Sequence, residues 1–252
     1  MFETITWLVT NKCNLSCSYC NFRNRTKEPS IEEKLGVLDI FKDWPESDKR
    51  FICLLGGDII AMDNPLPFVT HMNYLNLPYG FQTSCSNSEN MEEVLPHLRN
   101  ISISTDGCTS NYSRYKKELN GIYWAGKAKE VNPDIDIHST ITIDNNNIFT
   151  TPVTARVLSE LGIWVEITMV HWMKNSFDLV PSREACSGIK DNSDLIWLKD
   201  NLMMMKERGY KIHSSKWFLD NLDQYGKELN WKCSKPSNAV IDVDLSMRLC
   251  LH

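Results

Sequence analysis

The chain has 252 residues, 42% of them hydrophobic and 23% charged, with a formal net charge of −5. This length suits one barrel-sized domain, alone or with a small appendage. The mildly acidic balance gives no basis for a nucleic-acid or membrane-surface partner, and no apolar run approaches the ~20 residues of a membrane-spanning helix. The start Met1-Phe2-Glu3-Thr4 lacks the basic and apolar regions of a signal peptide, so a cytoplasmic location is expected.

Apolar strands alternate with helical patterns along the chain. A strand over Thr4–Thr10 leads into the loop Cys13-Asn-Leu-Ser-Cys17-Ser-Tyr-Cys20. Ser30-Ile-Glu-Glu33 then forms a capping box, with Ile31, Leu35 and Leu38 following at helical spacing. A strand over Arg50–Leu55 ends in Gly56-Gly57-Asp58. Next come a helix near Leu66–Leu77, a strand Gly80–Ser84, a helix Met91–Leu98 and a strand Asn100–Ser104. A helix near Tyr115–Val131, a strand Ile135–Ile143, a helix Pro152–Leu161 and a strand Ile163–Val170 complete six βα repeats. Such alternation predicts a parallel sheet with helices outside it, and six units predict an open, partial (β/α)6 TIM-like barrel. Beyond the irregular stretch Lys174–Asp194 the rhythm changes. Helices are predicted around Leu195–Met205 and Lys216–Tyr225, then a short hairpin over Asn238–Cys250. The expected division is a barrel over residues 1–212 and a C-terminal extension over 213–252.

The chain holds nine cysteines, an odd number at uneven spacing, and with no export signal reduced metal-binding thiols are a better reading than a disulfide framework. Cys13, Cys17 and Cys20 have C-x3-C-x2-C spacing in one loop directly after a strand. Three such thiolates can hold three corners of a cubane iron–sulfur cluster and leave the fourth iron open to a ligand. The rival is a closed zinc site, which needs a fourth ligand and usually builds from C-x2-C pairs; no second pair with that spacing exists in this chain. Cys53 reads as a small buried hydrophobe in an apolar strand. Cys85, Cys108 and Cys186 lack ligand spacing, each either inert or a thiol of the substrate site. Glu166, inside the sixth strand, is either a contact in the barrel lumen or half of a buried ion pair. His171 and Trp172 fall at the end of that strand, among candidate substrate-site residues.

Functional groups of parallel α/β barrels collect at the carboxyl ends of the strands. The cysteine loop, Gly56-Gly57-Asp58 and Ser104-Thr105-Asp106-Gly107 all fall there, after the first, second and fourth strands. Taken locally, Gly-Gly-Asp is also a common turn, and Ser104 or Asp106 a common helix cap.

With these motifs in place, the chain resembles the radical S-adenosylmethionine (SAM) superfamily. The resemblance implies a [4Fe-4S] cluster on Cys13, Cys17 and Cys20 whose open iron binds SAM. Gly56-Gly57-Asp58 resembles the family's Gly-Gly-Glu-Pro element, which meets the SAM amino group; here Asp58 is one methylene shorter than Glu and Ile59 replaces Pro. The glycines would let the backbone approach the ligand. Ser104 and Asp106 resemble ribose-contacting positions, Arg114 a partner of the SAM carboxylate, and Tyr19 the aromatic flanking the adenine. Cys233 and Cys250 look like the start of the auxiliary-cluster extension of SPASM and twitch members, implying a second iron–sulfur cluster. A Gly commonly stands five residues before the second of those cysteines, where this chain has Leu245. The resemblance also implies a reducing electron donor such as flavodoxin or ferredoxin, and a peptide or protein substrate. The alternatives are a small-molecule enzyme similar to 7-carboxy-7-deazaguanine synthase, or a non-catalytic iron–sulfur or zinc protein.

Overall fold

The structure, a computed structural model, describes residues 4–15, 17, 20, 28–44, 50–107, 118–169, 192–224 and 238–249. The predicted alternation is present. Strand β1 (Thr4–Thr10), helix α1 (Ile31–Ile40), β2 (Phe51–Gly56), α2 (Leu66–Tyr74), β3 (Tyr79–Thr83) and α3 (Ser88–Val94) come first. They are followed by β4 (Asn100–Ser104), α4 (Glu118–Val131), β5 (Asp136–Ile143), α5 (Thr151–Glu160) and β6 (Trp164–Met169). After α6 (Asn192–Glu207) and α7 (Lys216–Asp220), β7 (Asn238–Ile241) and β8 (Met247–Leu249) form the expected hairpin.

Sequence chemistry explains the boundaries. Ser30 accepts from the Glu33 backbone N–H at 3.2 Å, while Glu33 accepts from the Ser30 N–H at 2.7 Å, closing the capping box that starts α1. Helix α3 starts earlier than its apolar pattern suggests because Asn87 caps it, accepting from the Asn90 N–H. It gives way at Val94 to a 3-10 turn that contains Pro96.

The strands lie in the order β6-β5-β4-β3-β2-β1-β7-β8. β1 through β7 are parallel to their neighbours and only β8 runs antiparallel, so the sheet is a curled half-barrel with helices outside. The C-terminal hairpin is therefore continuous with the main sheet: β7 pairs with β1 from Thr4↔Asn238 to Trp7↔Ile241. At the opposite edge, the chain after α6 adds one parallel bridge, Val165↔Ile212, along β6.

Register separates two faces. Ile5, Trp7 and Val9 of β1, Ile52 and Leu54 of β2, Phe81, Ile101 and Ile103, and Val165 and Ile167 all point outward into one core shared with the helices. Trp7 packs edge-on against Phe68 of α2, with ring centroids 5.3 Å apart. The positions between them face inward. On β1, Leu8 joins Val240 and Val243 in a small second cluster. From β3 to β6 the inward side chains are polar and mostly half-exposed: Gln82, Ser102, Ser104, Thr140, Thr142, Glu166 and Thr168. Burying only the outer half of each strand leaves the hollow of the half-barrel as a wettable wall.

Candidate functional site

The three-thiol loop leaves the carboxyl end of β1, and the chain secures its stem from two sides. Cys13 is exposed, Cys17 buried and Cys20 half-buried. The Cys20 N–H donates to the Cys17 carbonyl at 3.1 Å, and the Leu15 N–H to the Cys13 sulfur at 3.4 Å. From the β2 side, the Gly57 N–H donates to the Thr10 carbonyl and the Asp58 N–H to the Lys12 carbonyl, each at 2.7 Å. From the α1 side, Glu28 accepts from the Asn11 N–H at 3.2 Å and from Lys34 at 2.6 Å. Lys34 is almost fully buried there. Burial alone would raise the Glu28 pKa; hydrogen bonds from Lys34 and Thr10, the Lys34 charge and the Asn11 N–H outweigh it and hold the carboxyl below its usual value.

The glycines make room for the protein's own backbone. Gly56 has a φ of +127°, and a Cβ there would fall 2.6 Å from the Thr10 carbonyl oxygen; a Cβ on Gly57 would overlap the Lys12 carbonyl. Their missing side chains make room for the backbone of the cysteine loop itself. That close approach seats the thiols beside the end of β2.

Asp58 is buried at 3% exposure. Its carboxylate accepts from the Thr83 hydroxyl at 2.7 Å, the Ser84 N–H at 3.0 Å, the Ser84 hydroxyl, and the Ile60 N–H and Ser86 hydroxyl at 3.4 Å. One carboxylate thus ties the end of β3 to the turn that carries the cysteine loop. Cys85, next in the chain, is buried at a positive φ of 56°. Burial first, then the Asp58 charge, pushes its thiol well above the ordinary range, which makes it inert.

At the end of β4, Ser104 is half-exposed on the inner wall and stands in register with Thr140. Asp106 is buried, and its carbonyl accepts from the Asn147 amide at 2.9 Å. Thr105, between them, has a buried hydroxyl with no hydrogen-bond partner among the described residues and packs where a Cβ on Gly121 would sit, 2.6 Å away. Among the expected site residues, the structure therefore gathers Cys13, Cys17, Cys20, Gly56, Gly57, Asp58, Ser104 and Asp106 at the carboxyl ends of β1, β2 and β4. Tyr19, Arg114, Cys233 and Cys250 lie outside the described residues, as do Cys108, Cys186, His171 and Trp172.

Two expectations change. Cys53, expected as a small buried hydrophobe, is half-buried and faces inward, in register with Gly80, between the buried Ile52 and Leu54. Burial and then the charge of Glu166 push its thiol up to about 11. Glu166 itself is exposed on the inner wall and forms no ion pair among the described residues, which removes the buried-pair alternative. Sequence reading missed Glu28, Lys34, Thr83 and Ser84. The only available signal was the Lys34 position, on the same helical face as Leu38.

The donor set bears on what the loop can hold. Among the described residues no three His, Cys, Asp or Glu side chains converge as they would around a single ion. A cubane cluster asks for a different arrangement, one thiolate on each of three irons. Three thiols on one loop, one exposed, one half-buried and one buried, match that demand in number.

The curled sheet with its outer helices is a partial TIM-like α/β barrel, a fold shared with several solved structures. Over its full length the chain matches SuiB from Streptococcus suis bound to S-adenosylmethionine, with a TM-score of 0.75 at 13% identity, and it spans 60% of that protein's chain. It matches anSMEcpe with bound AdoMet and the Cp18Cys peptide with a TM-score of 0.64 at 14% identity, over 100% of this chain and 74% of the other. Methylornithine synthase (PylB) follows with a TM-score of 0.53 at 13% identity, over 92% and 78%. No protein-family model and no curated protein matches the sequence. Among the described residues no helix is long and apolar enough to cross a membrane.

Proposed function

We propose that the chain is a radical SAM enzyme acting on a peptide or protein. The observation that carries this reading is the three-thiol loop at the end of β1, locked by backbone hydrogen bonds to the turn that ends β2. Cys13, Cys17 and Cys20 would hold a [4Fe-4S] cluster with one open iron for SAM. When bound, these groups supply one-electron cleavage of SAM to methionine and a 5′-deoxyadenosyl radical, which takes a hydrogen atom from substrate. Gly56 and Gly57 fix the loop at that spot, and Asp58 keeps the ends of β2 and β3 together beneath it. Ser104, with Asp106 behind it, offers polar contacts for the ribose; Tyr19 and Arg114 are the proposed adenine and carboxylate partners. Cys233 and Cys250 are proposed ligands of a second cluster, and a flavodoxin- or ferredoxin-type protein the electron donor.

Peptide substrates are favoured over small molecules because SuiB has been solved with the precursor peptide SuiA and anSMEcpe with the Cp18Cys peptide. The test is anaerobic reconstitution with iron and sulfide, then SAM and a strong reductant. Release of 5′-deoxyadenosine that disappears in Cys17→Ala supports the reading. Tightly bound zinc in that loop with no affinity for SAM ends it. Iron retained by a triple variant of Cys13, Cys17 and Cys20 supports the second cluster; loss of all iron removes it.

A further inference from the structure

We propose that Glu166 is the substrate-selecting group of the inner wall and that it takes a cation, an ammonium or guanidinium carried by the substrate. The proposal rests on reading the hollow of the half-barrel as the substrate side, and it adds the charge of what enters there.

Glu166 lies on β6 with its side chain on the inner, exposed face. Register places it beside Thr140 of β5, which in turn pairs with Ser104 at the end of β4. One polar row therefore runs from the proposed cofactor rim to this carboxylate. Two residues earlier on the same strand face stands Trp164, 40% exposed. An aromatic face beside a carboxylate is a receptor for organic cations, through ring quadrupole and charge together. The ring already attracts one, since the Lys211 ammonium sits 5.6 Å from its centroid. Lys211, though, is held at the foot of β6 by the Gly162 carbonyl at 3.0 Å and makes no ion pair with Glu166.

No inward position on β1 through β6 is Lys or Arg. His138, inward on β5, is bonded to Asp136, so among the described residues no cation pairs with Glu166. Cys53 belongs to β2, four strand steps away, which on a flat sheet means roughly 19 Å. The sheet is curled, and burial first, then the Glu166 charge, raises the Cys53 thiol pKa. A negative potential spanning the hollow concentrates cations and repels anions.

Cys53 provides the reporter. In the anaerobically reconstituted holoenzyme, its modification by methanethiosulfonate-ethylammonium is compared with that by methanethiosulfonate-ethylsulfonate, read by peptide mass spectrometry. The cationic reagent should react about tenfold faster, Glu166→Gln should remove the preference, and Glu166→Asp should keep it. Equal rates in the wild type, or a preference that survives Glu166→Gln, overturn the proposal. If neither reagent reaches Cys53, saturation-transfer NMR decides with three probes: Nα-acetyl-lysine methylamide, its norleucine counterpart, and glycinamide. Binding of the lysine probe alone, lost in Glu166→Gln, supports a side-chain cation. Binding of glycinamide with the same loss assigns the cation to a chain terminus. Equal binding of the norleucine probe, or binding of none of the three, overturns the proposal. Release of 5′-deoxyadenosine by the wild-type enzyme is scored separately, so failure of the cofactor reading is distinct from failure of this one.

Discussion

At the ends of β1, β2 and β3, polar groups are consumed by the protein's own architecture. Asp58 receives hydrogen bonds from Thr83, Ser84 and Ser86, the Gly57 and Asp58 amides grip the loop stem, and Lys34 is buried against Glu28. On the inner wall of β4, β5 and β6, Ser104, Thr142, Glu166 and Thr168 instead remain accessible and only loosely tied to one another, as in the 3.3 Å contact of Thr168 with Thr142. The first region is held rigid by these internal bonds. The second is left unsatisfied in water, so a ligand has hydrogen bonds and a charge to gain. The difference teaches where variation is tolerated: changes in the first region are felt as stability, and changes in the second as selectivity.

The hardest blow to this contrast is Gly57→Ala, whose added Cβ overlaps the Lys12 backbone. It should cost about 4 kcal/mol in urea unfolding, because backbone and not a flexible side chain must move. A cost near zero would show that the loop stem is soft. Asp58→Ala strands the Thr83 and Ser84 donors and should cost about 3 kcal/mol by the same measurement.

Lys34→Met removes the buried partner of Glu28 and should cost about 2 kcal/mol at neutral pH, moderated because Glu28 is 20% exposed. The pH signature has a definite sign. The folded pKa of Glu28 lies below its ordinary 4.5, so its contribution is complete above that value and is lost as pH falls through the folded one. Wild-type protein should therefore lose stability more steeply than Lys34→Met below pH 4.5, measured as urea midpoints.

On the other wall the effect is chemical. With its thiol near 11 against an ordinary 9, Cys53 should be alkylated by iodoacetamide at pH 8 roughly a hundredfold more slowly than an unperturbed cysteine. Glu166→Gln should recover only part of this, because burial is the larger cause. Smallest of all, Asp63→Ala breaks only the solvated Lys12–Asp63 pair and should leave the unfolding midpoint unchanged.

Much of the architecture was legible before any coordinates. Alternating apolar runs and the Ser30–Glu33 box gave the order of strands and helices, since period and capping are local properties. The thiol loop and the two rim motifs were equally visible. Strand partnership was not: Asn238–Ile241 reads as half of a hairpin, and only closure of the sheet pairs it with β1. Asp58 read as turn chemistry because a single acid after two glycines carries no mark of burial, and Glu28 and Lys34 look like solvated charges for the same reason. The inner wall has a mark in the sequence: Ser102 and Ser104, Thr140 and Thr142, Glu166 and Thr168 alternate with Ile and Val at period two. A parallel strand buried on both faces would lack that alternation.

Leu245 shows how geometry can outlast residue type. It holds a φ of +66° in the turn between β7 and β8, at the place where a glycine would be expected. The left-handed backbone persists at a cost of about 1 kcal/mol.

The pairing of β7 with β1 also dictates an order of events during synthesis. The strand that presents the thiols emerges from the ribosome long before β7, so its second edge stays bare until residue 241 has followed. Completion of the thiol-bearing strand is therefore a late, long-range event. Under the proposed function, loading of iron and sulfur onto the fully framed loop would follow translation of this whole segment.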